Sequence, residues 1–118
     1  MTEQLLKDHP KVTSIVKDWL VQRLLESAKG TSIPEDFVEY AKQNAVKETE
    51  IVKMLGHSPS VMFELFDGHN LLIEIEPATA TNFIVKINGI SDKTEFSNRL
   101  EADKHAISEA FKILEGRL

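Results

Sequence analysis

The hydrophobic period of this chain changes near Pro59, and that change splits any fold it adopts into a helical part and a pleated part. Beyond Pro59 apolar residues alternate with a period of two. Val61, Phe63 and Leu65 alternate with Met62, Glu64 and Phe66. Leu71, Ile73 and Ile75 alternate with Leu72, Glu74 and Glu76; Phe83, Val85 and Ile87 alternate with Ile84, Lys86 and Asn88. Alternation of this kind predicts half-buried strands. Asp67 to Asn70 has turn chemistry, Pro77 to Asn82 is a longer polar connection, and Asn88-Gly89 closes the last strand. The first hairpin loop must have odd length, 67–69 or 68–70, to keep paired residues on one face. The second choice uses Asn70 in a left-handed conformation but sets Glu64 opposite Glu74.

Before Pro59 the period is helical. Val12, Ile15, Val16, Trp19, Leu20 and Leu24 fall on one face of a helix over 11–28, with Asp8 as a candidate cap, residues 1–7 as a frayed or separate turn, and Gly30 as its stop. Ser32-Ile33-Pro34-Glu35 is a capping box, followed by Phe37, Val38, Ala41, Ala45, Val52 and Leu55 at near-helical spacing up to Gly56. That stretch reads as one helix or two. A C-terminal helix is expected from about Thr94, capped by Asp92 with Glu95, with Phe96, Leu100, Ile107, Phe111 and Leu114 on one face. The expected fold is one α+β domain over 1–118 in the order α-α-β-β-β-α. Its helical subregion is 1–57, and 58–118 is a three-stranded antiparallel β-meander whose inward face the C-terminal helix covers. Leaving nine inward strand side chains in water would forgo about 1.5–3 kcal/mol each.

Composition narrows function. At 118 residues the chain is long enough to bury a core without disulfides, and it has no cysteine. Zero cysteines fit a cytoplasmic protein; the start shows no signal peptide, and no apolar run is long enough to span a membrane. Residues 1–60 hold 8 basic and 9 acidic side chains, a net of −1, and residues 61–118 hold 6 and 10, a net of −4. A nucleic-acid binder ordinarily carries basic surface, so this balance argues against one.

Glu48 to Val61, with Leu55-Gly56-His57-Ser58-Pro59-Ser60-Val61 at its end, resembles helix-turn-helix regulators, whose central turn often reads Leu-Gly-x-Ser-x-Ser-x-Val. The resemblance implies a recognition helix over 59–66. That helix would present Ser58, Pro59, Ser60, Phe63, Glu64 and Asp67, none of them basic. The expected element order is also that of double-stranded RNA-binding domains, and Ala102 to Leu114 resembles their last helix. Such a helix implies a basic start, whereas Asn98 to His105 offers only Arg99 and Lys104 beside Glu101 and Asp103. Small acidic secretion chaperones share the size and the helix–sheet–helix plan, but this chain lacks their further strands. Glu101, His105 and Glu109 form an i, i+4, i+8 stripe that reads as a solvated face with weak pairs rather than a metal site. No HExxH, GxSxG, Walker or GxGxxG pattern occurs. The sequence therefore predicts no enzyme, cofactor or metal.

The outward sheet face carries what functional signal remains. It is expected to show Met62, Glu64, Phe66, Leu72, Glu74, Glu76, Ile84 and Lys86. An open face should be mainly polar, and four large apolar residues among acids point to a partner surface or a homodimer face. Residues 61–76 hold four acids and no base, so a partner with a basic surface would match. The expected function is a small protein-interaction module of adaptor, inhibitor, immunity or secretion-chaperone type. A nucleic-acid-binding regulator using 48–66 is the alternative, and the conformation of 59–66 separates the two.

Overall fold

In a computed structural model, residues 3–28, 36, 39, 40, 43 and 47–118 are described. Two N-terminal helices come first, α1 (Glu3–Asp8) and α2 (Pro10–Ala28). The break falls at His9. Pro10 has no N–H to donate and suits the first turn of a helix, so α2 starts there. The Thr13 N–H bonds the His9 carbonyl at 2.9 Å, and its buried hydroxyl donates toward the carbonyls of Leu6 and His9 at 2.8 and 2.9 Å. Asp8, the cap expected from sequence, closes α1 instead. Val12 and Val16 are fully buried, with Ile15, Trp19 and Leu20 packed against the core. The Ser32–Glu35 capping box, with Phe37, Val38, Ala41 and Ala45, lies outside the described residues.

Helix α3 (Glu48–His57) buries Ile51 and Leu55 and takes Gly56 into its last turn. Next comes the main departure from the sequence expectation. Residues 61–66 are helical: a 3₁₀ turn, Pro59–Met62, runs into the short helix α4, Phe63–Asp67. Pro59, Met62, Leu65 and Phe66 are buried, while Val61 and Glu64 face water. A strand would put Met62, Glu64 and Phe66 on one face; this burial follows helical spacing. Phe66 packs against Phe111 with ring centroids 5.7 Å apart. The 67–70 segment is therefore a helix exit, not a hairpin loop. The Leu71 N–H reaches back to the Phe66 carbonyl at 2.9 Å, and Asn70 takes the left-handed conformation at φ 62°.

The other two alternating segments are strands: β1 (Ile73–Pro77) and β2 (Phe83–Ile87), antiparallel, with Ile73 opposite Ile87, Glu74 opposite Lys86 and Ile75 opposite Val85. The sheet thus has two strands among the described residues, not three. Asn88 and Gly89 both have positive φ, at 53° and 81°, and turn the chain so that Ile90 bridges back to Ile87. Phe96 then exchanges two backbone bonds of 2.8 Å with Phe83. That bridge holds residue 96 extended, so helix α5 (Arg99–Arg117) starts later than Thr94. Asn98 is its cap, accepting the Glu101 N–H at 2.9 Å, where the sequence pointed to Asp92. Leu100 is correspondingly exposed. Ala102, Ala106, Ile107, Ala110, Phe111 and Leu114 of α5 are buried, and the small alanines admit close packing of neighbouring elements. The α+β class and the C-terminal helix on one sheet face stand.

Candidate functional site: the solvent face of the hairpin

Because β1 and β2 alternate, the even-numbered residues of the two strands, with Leu72 just before β1, share the face turned away from α5. Leu72, Glu74, Glu76, Ile84 and Lys86 stand on it, as the sequence predicted. Leu72 is 49% exposed and Glu74 is exposed, while Glu76, Ile84 and Lys86 are half-buried. Met62 and Phe66 are not on this face. Both are fully buried core residues, because the helical turn of 59–67 points them inward. Glu64 lies on α4, where it meets Arg23 of α2 at 3.3 Å. Both side chains of that pair are mostly exposed, so it contributes little to stability.

Lys86 organises the charge on the hairpin face. Its ammonium meets Glu76 Oε2 at 2.9 Å, diagonally across the strands, and it stands directly opposite Glu74. The hydrogen bond that the ammonium donates to Glu76, the charge of that carboxylate, and the further charge of Glu74 hold the lysine pKa above its ordinary value. Two carboxylates against one ammonium leave a net of −1. Asn88 fixes the start of β1. Its backbone N–H donates to the Leu72 carbonyl at 2.9 Å, and its side-chain oxygen accepts the Leu72 N–H at 2.8 Å. Its amide nitrogen also donates to the Asn70 carbonyl at 3.0 Å. Two bonds from one asparagine thereby hold the Leu72 backbone, and the third ties down Asn70 beside it.

The sequence reading missed Ile90, the most exposed large hydrophobic among the described residues at 78%. The Asn88-Gly89 turn was the available signal, since a tight turn there returns residue 90 to the edge of β2. Ile90 forms a ridge between two hollows. One, of about 670 Å³, runs along the outer face by Ile84, Lys86 and Lys93. The other, of about 310 Å³, lies between β2 and α5, with Val85 and Ile87 in its floor and Asp92, His105 and Glu109 on its rim. Asp92 accepts the Thr94 N–H at 2.9 Å, and that bond, with the Thr94 hydroxyl and the nearby imidazole, holds its carboxyl below the usual range. His105 Nε2 stands 3.5 Å from Asp92 Oδ2, and the ring lies against Phe96 at 4.9 Å between centroids.

The Glu101–His105–Glu109 stripe does not converge. Glu101 leans to Lys104 at 3.9 Å, His105 to Asp92, and Glu109 to Lys112 at 3.3 Å. Among the described residues no three His, Asp or Glu side chains are grouped to hold a metal ion. No helix of the described residues is long and apolar enough to cross a membrane. Set beside known protein families, curated proteins and solved structures, the chain finds no match in any of the three.

Proposed function

We propose that this chain is a small non-catalytic module that docks another protein on the solvent face of its β-hairpin, in a cytoplasmic setting. One observation carries the reading: Leu72 and Ile84 are apolar side chains at least partly open to water around Glu74, Glu76 and Lys86, on the sheet face that α5 does not cover, and Ile90 stands exposed at the β2 edge beside it. Such a face has an apolar centre and a charged rim, the anatomy of a protein interface. Its residual negative charge matches a basic partner surface. The test uses the full chain as bait in parallel with Leu72→Asp, Ile90→Asp and, as a control on α3, Glu50→Ala. Partners of the docking face are retained by wild type and the control and lost from both Asp variants. Identical retention by all four overturns the reading, and sedimentation velocity on the same proteins reads out a homodimer.

The nucleic-acid reading gains one observation, the helical conformation of residues 59–67 directly after α3 and a turn. This is the local shape that the helix-turn-helix resemblance requires. The exposed chemistry favours it less. Ser60, Val61, Glu64 and Asp67 face water, none carries a positive charge to set against phosphate, and α4 is only 5 residues long. A gel shift at low salt decides it, because phosphate-driven association is strongest there.

A further inference from the structure

We infer that the outer edge of β1 accepts an extended, basic segment of a partner as an added strand; the inference rests on the protein-binding reading above and specifies its partner. The hydrogen-bond register settles which groups are available. The bonds from Asn88 N–H to the Leu72 carbonyl and from Ala78 N–H to the Asn82 carbonyl, both 2.9 Å, bracket the β1–β2 pairing. Antiparallel bonds recur at every second residue, so even-numbered residues of β1 bond to β2 and odd-numbered ones aim their N–H and C=O at the opposite edge.

The two edges of the hairpin are treated differently. On β2 the outward groups at both ends are used, since Phe83 exchanges bonds with Phe96 and the Ile87 N–H donates to the Ile90 carbonyl at 2.9 Å, and Val85 between them is flanked on both sides by these bridges. On β1 the outward groups of Ile73 and Ile75 meet no backbone partner among the described residues. Ile73 is buried at the strand start, so the open stretch is Glu74 to Pro77, with Ile75 half-buried at its centre. An incoming strand would complete bonds at Ile75 and accept or donate nothing at the nitrogen of Pro77, which leaves only that residue's carbonyl as an acceptor.

Charge selects the occupant. A second copy of the chain would have to pair β1 with β1 about a two-fold axis. Centred on residue 74, that register sets Glu74 against Glu74; centred on 75, Glu74 against Glu76; centred on 76, Glu76 against Glu76. Each places like charges directly opposite. Short, charged edges resist self-pairing for this reason. An extended segment with Lys or Arg at alternate positions reverses the sign, setting cations opposite Glu74 and Glu76 and apolar side chains opposite Ile75. Lys86 reaches Glu76 from the β2 side, so the two carboxylates keep a net charge to offer.

The experiment titrates the ¹⁵N-labelled full chain with three capped synthetic peptides: an alternating Lys-Val heptamer, its Glu-Val counterpart, and a Lys-Val heptamer N-methylated along its pairing edge. The Lys-Val peptide is expected to bind, to shift Glu74 to Pro77, and to slow hydrogen exchange at the Ile75 amide. The Glu-Val and N-methylated peptides are expected not to bind. Glu74→Lys is expected to weaken the Lys-Val complex roughly three- to ten-fold, from cross-strand pair energies of attraction turned to repulsion. Binding that survives N-methylation, or that leaves the Ile75 amide unprotected while Leu72, Ile84 and Ile90 shift, overturns strand addition and leaves face docking intact. No binding by any peptide overturns strand addition too, and the Asp-variant capture above then decides the broader reading separately.

Discussion

Glu115 provides the sharpest test of the packing. Helix α2 starts at Pro10, so its second and third residues, Lys11 and Val12, carry amide hydrogens with no acceptor inside the helix. Both donate to a single carboxylate oxygen, Glu115 Oε1 on α5, at 3.0 and 3.1 Å. The Lys11 ammonium also donates to the Leu118 carbonyl at 3.0 Å. Glu115 therefore does for α2 what a local cap residue does elsewhere, with a negative charge placed at the positive end of the helix dipole. Loss of a cap costs about 0.5–2 kcal/mol, and loss of a favourable charge at a helix end about 0.3–1 kcal/mol. The Lys11 amide lies near water, which can replace the carboxylate in part, while Val12 is fully buried. Glu115→Ala is accordingly expected to destabilise by about 1–2 kcal/mol, and Glu115→Gln, which keeps an acceptor, by about 0.3–1 kcal/mol. For a domain of this size about 4 °C accompanies each kcal/mol, so the Ala variant should melt about 4–8 °C lower. Urea unfolding followed by circular dichroism measures the change, and hydrogen exchange at Lys11 and Val12 locates it. An Ala variant as stable as wild type, with unchanged exchange at those two amides, refutes the capping argument.

Further expectations concern the core and the loop. Phe66→Ala should cost about 3–5 kcal/mol in urea unfolding, because the ring is fully buried against Phe111; a surface-like loss well under 1 kcal/mol would restore the strand reading of 61–66. Ala106→Leu should overpack the buried face of α5 by about 1–3 kcal/mol, measured the same way. Asp92 has its folded pKa depressed below its ordinary 3.8, so its contribution to stability is present above that value and is lost as pH falls through the folded pKa. Asp92→Asn should flatten the acid limb of the stability–pH curve below about pH 4, and an unchanged limb would show that the Thr94 turn does not hold the carboxylate.

The pleated half of the chain was legible where both faces could be told apart. Ile73, Ile75, Val85 and Ile87 alternate with Glu74, Glu76 and Lys86, and charge on one side fixes the face. In 61–66 only Glu64 breaks an otherwise apolar run, and a single charge does not distinguish period two from period 3.6. Pro59 ahead of the run and Gly68 behind it were the better signals, since proline favours the first turn of a helix. The start of α5 shows a second limit. Asp92 with Glu95 and Asn98 with Glu101 have the same spacing, and the Phe83–Phe96 pairing, which joins residues far apart in sequence, decides between them. Of the eight outward residues read from sequence, Leu72, Glu74, Glu76, Ile84 and Lys86 keep their place; Met62, Glu64 and Phe66 leave it with the lost strand.

The carboxylate that completes α2 stands 104 residues downstream of Lys11. At ordinary elongation rates of about 5–20 residues per second, the nascent segment waits about 5–20 seconds for it. Throughout that interval the emerging N-terminal rod has the hydrophobic stripe of Val12 and Val16 but neither its closing anion nor the buried residues of α5 that share its core. The stripe on α2 therefore stays open until residue 115 has been added, and the N-terminal helices complete their packing only after α5 is made.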